Sequence, residues 1–354
     1  MSQQLEIIVS RVKEETYLWE NFIRNKNATV YHTLAWKKVI EETFGHKPYY
    51  LMAKENGKII EALPLFLIEK PFLGKKIIST PYQACFGGFI SNNLRAKKKI
   101  IEAALNQAKR LNVNYLEIRT KSKSNELKEM GFIGRTPLLY SEAILEDIEK
   151  NWYMLSRNHR RNVRLSQKRG VVIRQATKLE EVYTFYKILE ENFKNFGTPI
   201  FDKKFFKNIW IDLVPKGIAE FLLAMYEGKI IGGHLLLYNN DTVISKYSGY
   251  QRKFSKLYPS YALYWEAIKI GIEKGLKFFN LGTTDKRNYG LLDFKTKWGA
   301  QNKEVYFYYY PIRGDIPQIE NYFNSFSIAK KIWRRIPPNI ITRLLGQKIN
   351  EWIC

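Results

Sequence analysis

Cysteine is nearly missing: the 354 residues hold two, Cys85 and Cys354. Two scattered thiols build neither a disulfide framework nor a metal cluster. Histidine is almost as scarce, and His32, His46, His159 and His234 lack the spacing of a zinc site, so no metal is expected. No apolar run reaches the roughly 18 residues that mark a membrane-spanning helix. The opening residues, Met1-Ser-Gln-Gln-Leu-Glu6, are polar. The expectation is a cytoplasmic protein, soluble or peripheral on the inner face of the plasma membrane. Acid is the other shortage: 34 Asp and Glu stand against 58 Lys and Arg, a net charge of +24. That balance implies a polyanionic partner, whether nucleic acid, an anionic membrane surface or a phosphorylated substrate. A disordered chain is excluded, because 45% hydrophobic and 15% aromatic residues supply real cores. The length suffices for two ordinary domains.

Some segments lack acid altogether. None occurs between Glu149 and Glu180, where Arg157, Arg161, Arg164 and Lys168 fall at i, i+4, i+7 and i+11. This spacing predicts one face of a helix that Gly170 closes. Guanidinium forks match phosphate oxygens, so the face reads as a phosphate clamp, with a solvated basic face as the plain alternative. Residues 321–354 lack acid until Glu351. There Ile328, Ile332 and Ile336 run beside Lys330, Lys331, Arg334 and Arg335, Pro337-Pro338 interrupts, and Trp352 follows. A basic amphipathic tail over 328–352 fits an anionic membrane surface, or packing on the protein itself or on a second subunit.

The order of predicted elements repeats. Residues 30–44 read as a helix capped by Thr33 and ended by Gly45. Tyr49–Lys54 and Lys58–Ile68 then read as a hairpin around Asn56-Gly57, Ile77–Thr80 as a strand, Ala96–Leu111 as a helix and Tyr115–Arg119 as a strand. Later, Phe221–Tyr226 and Lys229–Tyr238 form a hairpin around Glu227-Gly228, followed by strand Val243–Gly249, helix Pro259–Lys274 and strand Phe278–Gly282. Ala53-Lys-Glu-Asn-Gly-Lys-Ile-Ile60 matches Ala224-Met-Tyr-Glu-Gly-Lys-Ile-Ile231, and Asn112-Val-Asn-Tyr-Leu-Glu-Ile118 matches Gly275-Leu-Lys-Phe-Phe-Asn-Leu281. Two copies of hairpin–strand–helix–strand predict two α+β domains of one kind, each a mixed sheet flanked by helices in three layers. The predicted division is 1–150, then 151–315 with a basic linking helix at 152–170, then the tail 316–354.

One stretch, Tyr289-Gly-Leu-Leu-Asp-Phe-Lys-Thr-Lys-Trp-Gly-Ala300, follows the last strand of the second copy. On a helical turn Phe294 and Trp298 share a face, and Lys295 projects beside them with its charged tip in the cleft above. The equivalent in the first copy, Ser122–Gly131, has no Phe-Lys pair, so a single active cleft would belong to the second copy.

Taken in order, Phe44-Gly-His-Lys-Pro-Tyr-Tyr-Leu51, Ala62-Leu-Pro-Leu65, Ser79-Thr-Pro-Tyr82 with Gly87-Gly88, Arg160-Arg-Asn-Val-Arg164, Gly228-Lys-Ile-Ile-Gly-Gly233 and Gly290-Leu-Leu-Asp-Phe-Lys295 resemble the Fem family of tandem GNAT-fold transferases. The resemblance covers roughly residues 25–310. It implies transfer of an acyl or aminoacyl group to an amine of a cell-envelope precursor, peptidoglycan or polysaccharide, linked to a nucleotide or a lipid. By the same resemblance Phe294 and Lys295 line the catalytic cleft, and Arg160, Arg161 and Arg164 meet the precursor's phosphates. Two features depart from the pattern. Lys178–Phe196 reads as one helix without the coiled-coil arm linked to tRNA contacts. Tyr250–Tyr258, where a coenzyme A loop would stand, has no glycine to let backbone N–H groups cup a pyrophosphate. The donor is therefore left as aminoacyl-tRNA or acyl-CoA, a co-substrate, with no permanently bound cofactor.

Acyl transfer needs a neutral amine, a stabiliser for the oxyanion and a route for the proton. Lys295 is the candidate stabiliser. Asp285 and Asp293 are candidates for holding the ammonium or taking its proton. Tyr82, Tyr247, Tyr250 and Tyr289 are candidate substrate-binding hydroxyls, with Trp298 beside them. Cys85 has no histidine placed to activate it as a nucleophile. Two other readings stand: an acyl-CoA-dependent N-acyltransferase on a nucleotide-linked amino sugar, and a non-enzymatic basic nucleic-acid-binding protein with no known module.

Overall fold

The computed structural model describes residues 5–10, 16–24, 28–70, 74–81, 86–198 and 200–317. Tyr82, Cys85 and the amphipathic tail 328–352 lie outside the described residues. In chain order the first half contains β1 (Leu5–Ser10), α1 (Thr16–Arg24), α2 (Leu34–Phe44), β2 (Lys47–Glu55), β3 (Lys58–Lys70), β4 (Gly74–Ile78), α3 (Leu94–Arg110), β5 (Tyr115–Thr120), α4 (Asn125–Glu129), β6 (Ile133–Arg135) and β7 (Leu138–Ile144). Next come α5 (Ile148–Met154), α6 (Arg157–Lys168), β8 (Val172–Gln175), α7 (Leu179–Phe196) and α8 (Lys203–Asp212). The chain continues with β9 (Ala219–Tyr226), β10 (Lys229–Asn239), β11 (Thr242–Tyr250), α9 (Pro259–Glu273), β12 (Phe278–Asp285), α10 (Tyr289–Thr296), β13 (Gln301–Glu304) and β14 (Tyr306–Pro311).

Local chemistry sets many of these boundaries. The Thr33 side chain accepts from the Trp36 N–H and Gly45 ends α2 in the left-handed region. The predicted helix therefore starts at Leu34, because Val30–His32 form a separate 3-10 turn. Asp147, Ser156 and Asn288 cap α5, α6 and α10 in the same way. Both hairpins turn through two left-handed residues, Asn56-Gly57 and Glu227-Gly228.

The duplication is visible in the backbone. Each hairpin carries a bulge one residue past the same point: pairing jumps from Ala53↔Glu61 to Lys54↔Ile59, and from Ile230↔Met225 to Gly232↔Ala224. Ile60 and Ile231 are the extra residues, and the two matched segments end on them. The α3 and α9 helices end alike, on Asn112 and Gly275 with φ of 56° and 68°. Val113 N–H then donates back to Ala108, and Leu276 N–H to Gly271.

Two sheets of seven strands result, in the orders β1-β2-β3-β4-β5-β14-β6 and β13-β7-β12-β11-β10-β9-β8. Both are mixed, with β4–β5 and β11–β12 as parallel neighbours. One correction concerns the domains. β14, expected in the second domain, pairs antiparallel with β5 and β6 in the first sheet. β7, expected in the first, lies between β12 and β13 of the second. The chain thus forms two compact units, one up to Leu138 plus the stretch from Glu304, the other Leu139–Lys303. Alternating burial suits a strand to either sheet and carries no address for its neighbour.

In the second unit α9 packs on β10 and β11, over a core that includes Leu236, Val243, Leu263, Phe279 and Trp298. α7 covers the other face, where a Cβ on Gly233 would sit 2.6 Å from Phe185 and one on Gly249 would sit 2.6 Å from Asn192.

Candidate active site

The two parallel strands of the second unit stay paired for three residues only, from Thr242↔Phe278 to Ile244↔Asn280. Beyond that point they part. On β11, Lys246 bulges out between Leu235↔Tyr247 and Leu236↔Ser245. On β12, Gly282 takes φ 77° and its N–H bonds the Asn280 side chain at 2.8 Å. Two breaks in adjacent strands, just past the end of their shared ladder at Ile244↔Asn280, open a notch in the middle of a sheet.

The first unit has the same parallel pair, from Lys76↔Tyr115 to Ile78↔Glu117, but there the notch is filled. Ser79 N–H donates to the Glu117 carbonyl, and its hydroxyl accepts from Arg119 N–H at 3.0 Å. Gly87 and Gly88 lie against β5 so closely that a Cβ on Gly88 would stand 2.7 Å from the Arg119 carbonyl. The buried Glu61 carboxylate accepts from Ile90 N–H, Ser91 N–H and the Ser91 hydroxyl, at 3.0, 2.8 and 2.9 Å. His32 Nε2 adds a contact to the Gly88 carbonyl at 3.0 Å.

Around the open notch, α10 places Phe294 among rings from α6 and α9. Phe294 lies 5.3 Å from His159, 5.6 Å from Tyr264 and 6.1 Å from Tyr261, with Trp298 at 6.2 Å on the same helical face, as expected. Trp298 is fully buried and stacks on Tyr264 at 5.4 Å. It is a core residue, which corrects its assignment as a substrate contact. Lys295 is also corrected. Its side chain is 4% exposed, and its ammonium donates to the Gly282 and Thr283 carbonyls at 2.9 and 3.3 Å. The left-handed turn at Gly282 offers these carbonyls to α10, so Lys295 braces the broken end of β12 where a free tip was expected.

The other expected residues scatter. Asp293 faces solvent and pairs with Lys297 on α10, about half a helical turn from Lys295. Asp285 ends β12 and holds Arg287 through both carboxylate oxygens, at 2.8 and 3.1 Å. Tyr247 points to the α7–α8 face, among Phe193, Phe201, Phe205 and Phe206. Tyr250 is half-buried, its backbone clamped by the Asn192 amide. Tyr289 is 77% exposed. Of the arginines, Arg160 is tied to the Tyr153 and Leu155 carbonyls, whereas Arg161 and Arg164 reach solvent. With Arg157 and Lys168 they line an open depression of about 670 Å³ along α6.

Sequence reasoning passed over a polar string beside the notch. His234 Nε2 meets the Ser245 hydroxyl at 2.7 Å, and its ring lies 4.8 Å from Tyr264. The Tyr264 hydroxyl meets Ser248 at 3.2 Å. Burial holds His234 down to about 3. Burial and then the Lys297 charge hold His159 down to about 4, against the Phe294 backbone and Asp293. Both rings are therefore neutral at pH 7. The signal was the cross-strand pair His234↔Ser248, invisible until the register is known. Among the described residues no group of acids, histidines and cysteines is placed to hold a metal, and no helix is long and apolar enough to cross a membrane.

Residues 155–296 match the family model described as acetyltransferase (GNAT) domain. The fold is a tandem GNAT fold. FemX superposes with a TM-score of 0.74 at 16% identity, over 87% of this chain and 98% of FemX. L-PGS from Bacillus licheniformis gives 0.57 at 12% identity, over 93% and 99%. A tandem GNAT protein from the clavulanic acid biosynthesis pathway gives 0.57 at 10% identity, over 89% and 100%. No curated protein matches the chain. The matched GNAT segment holds α6, the parted β11 and β12, and all of α10.

Proposed function

We propose that the chain is an acyltransferase of the Fem type, with the notch of the second unit as its site. It would move an acyl or aminoacyl group onto an amine of a cell-envelope precursor. The observation that carries this reading is the contrast between two equivalent notches: β11 and β12 part over an open edge, and β4 and β5 part over a filled one. An extended donor can bond a strand edge at such a break as an added strand would. The amine nitrogen attacks the donor carbonyl, a C–N bond forms, and the C–O bond to tRNA or the C–S bond to coenzyme A breaks as the amine proton passes to the leaving group. The broken edge of β11 faces the developing oxyanion in this scheme. The Tyr264–Ser248 hydroxyl pair carries the proton, a role for which His159 and His234 are too weakly basic.

The acceptor's phosphates, on a nucleotide or a lipid, would meet α6. FemX and L-PGS, a lysyl-phosphatidylglycerol synthetase, are the relatives that favour an envelope acceptor. The donor loop, residues 252–257, is a 3-10 turn with Arg252, Lys253 and Lys256 exposed and Tyr258 left-handed at φ 55°. It would meet donor phosphates through side chains, since no glycine bares its backbone. Calorimetric titration with acetyl-CoA distinguishes the donors: tight binding selects acyl-CoA, and none leaves aminoacyl-tRNA or another donor. With the donor known, transfer to UDP-linked and lipid-linked amino-sugar or peptide acceptors is followed by mass spectrometry. Tyr264→Phe combined with Ser248→Ala should lower kcat at least tenfold with the fold retained. Full activity in that double variant would reject the notch as the site.

A further inference from the structure

Some cations of this protein are answered by acids. On α3, Lys98 pairs with Glu129 and Lys99 with Glu102, and on α2 Lys37 pairs with Glu41. α6 is different. Arg157, Arg161, Arg164 and Lys168 are exposed along one face, and among the described residues none of them has an acidic partner. The arginines that do bond locally use carbonyls and rings: Arg160 takes the Tyr153 and Leu155 carbonyls, and Arg164 lies over Trp152 at 5.1 Å. Four like charges spread over three turns repel one another, and a partner with many negative charges relieves that repulsion.

The helix just before this face adds a second, independent observation. α5 leaves Ile148, Tyr153 and Met154 exposed at 44%, 67% and 43%. These large apolar side chains are partly open to solvent, with Arg160 over the Tyr153 ring at 5.7 Å, and they end where the basic face begins. Ser156 N–H ties that junction to the Lys297 carbonyl, and Met154 lies on Gly299, so the corner is held by the second unit's own fold. A nucleic-acid backbone would account for the arginines and the tyrosine, but not for an exposed methionine. A lipid bilayer accounts for both. Aliphatic and aromatic tips enter the headgroup boundary while the guanidinium groups meet lipid phosphates.

We infer that the α5–α6 corner is a docking surface for an anionic bilayer, with Tyr153 and Met154 inserted and Arg157, Arg161, Arg164 and Lys168 on the headgroups. This builds on the reading of α6 as the phosphate-contacting face, and it selects a lipid-linked acceptor over a nucleotide-linked one. The surface lies outside the notch, so docking is measured without turnover.

The test is sedimentation of the full chain with vesicles of phosphatidylcholine, with and without phosphatidylglycerol. Binding should require the anionic lipid and fade as salt rises from about 50 to 500 mM. The double substitution Arg161→Gln with Arg164→Gln should weaken partitioning about thirtyfold, from about 1 kcal/mol per cation near an anionic surface. Tyr153→Ser with Met154→Ser should weaken it as well at unchanged net charge. Lys98→Gln with Lys99→Gln, the same charge loss on α3, should leave it unaltered. Equal binding to neutral vesicles, or binding untouched by both α5–α6 variants, overturns the inference. So does loss of single-stranded RNA retention in the arginine variant while vesicle binding persists. If docking fails but transfer to a soluble acceptor proceeds and depends on Tyr264 and Ser248, the docking claim falls and the acyltransferase reading stands.

Discussion

Replacing Lys295 by methionine separates two roles that a catalytic lysine and a brace would share. The side chain keeps its length and apolar stem and loses the ammonium. The two hydrogen bonds that disappear, to the Gly282 and Thr283 carbonyls at 2.9 and 3.3 Å, are charge-assisted, each worth about 1.5–3 kcal/mol. Against that loss stands relief of the cost of keeping an ammonium 4% exposed, several kcal/mol in the opposite direction. The net expectation is a destabilisation of about 2 kcal/mol, because two partly buried carbonyls lose a charged donor. For a unit of this size that lowers Tm by about 4–8 °C. Transfer should fall with it, since the end of β12 that forms one wall of the notch loses its tether to α10. The assay pairs thermal melting with kcat and KM at a temperature where the variant is folded. A variant that melts within about 1 °C of the parent yet has lost transfer would refute the brace and restore Lys295 as a cation acting on the substrate.

Three further outcomes are expected. Glu61→Ala should destabilise the first unit by about 3 kcal/mol in a urea melt, because the Ile90 and Ser91 N–H groups lose their acceptor; transfer below the melting range should be unaltered, and its loss would give the filled notch a catalytic part. Ending the chain after Lys303 removes β14, and with it the buried Tyr308 and Tyr309 and the strand between β5 and β6. The first unit should then fail to fold, seen as insolubility or as loss of one cooperative transition, and a soluble product with native circular dichroism would count against the topology. The third is a pH effect. Burial holds His234 at about 3 and His159 at about 4, below the ordinary 6.5, so the unfolded chain takes up protons first as pH falls. Stability should be full above pH 6.5 and decline toward pH 4, with a slope of up to about 1.4 kcal/mol per pH unit per ring. His234→Gln should flatten that slope in melts at pH 7, 6 and 5.

What could be read from the chain was whatever is encoded locally. Asn56-Gly57 demands left-handed turn residues, Thr33 and Gly45 bound α2, and the acid-free run at Arg157–Lys168 produces one charged face. The matched segments identified the duplication because each copy repeats its own turn, bulge and helix end, down to Asn112 standing where Gly275 stands. What could not be read depends on register. Lys295 and Asp293 are two apart on α10, so they cannot serve one cleft, yet which of them turns inward is settled only when Gly282 presents its carbonyls. Tyr247 and Ser248 are adjacent on β11 and point to opposite faces, so listing the tyrosines of that strand misses the hydroxyl pair beside the notch. The shift at Lys246 decides which residue faces α9, and a bulge leaves little mark on composition.

The reciprocal placement of β7 and β14 bears on why the two copies diverged. Each sheet has the same seven positions, and in each the position beside β5 or β12 is filled by a strand from the opposite half of the chain. Neither half completes its own sheet, so the copies must be made together and cannot be separated by loss of one. Under that constraint one copy can close its notch while it is retained for its fold. The Glu61 clamp, the Gly87-Gly88 approach and the Ser79 hydroxyl all fill the same gap in the first unit. The second unit keeps its gap, with Lys295 bracing the edge and the His234–Ser245 and Ser248–Tyr264 contacts beside it. If this account holds, Gly88→Ala, which would force a Cβ to 2.7 Å from the Arg119 carbonyl, should loosen the first notch and lower the stability of that unit. It should create no second site, because the first copy has no Phe-Lys turn to brace its edge.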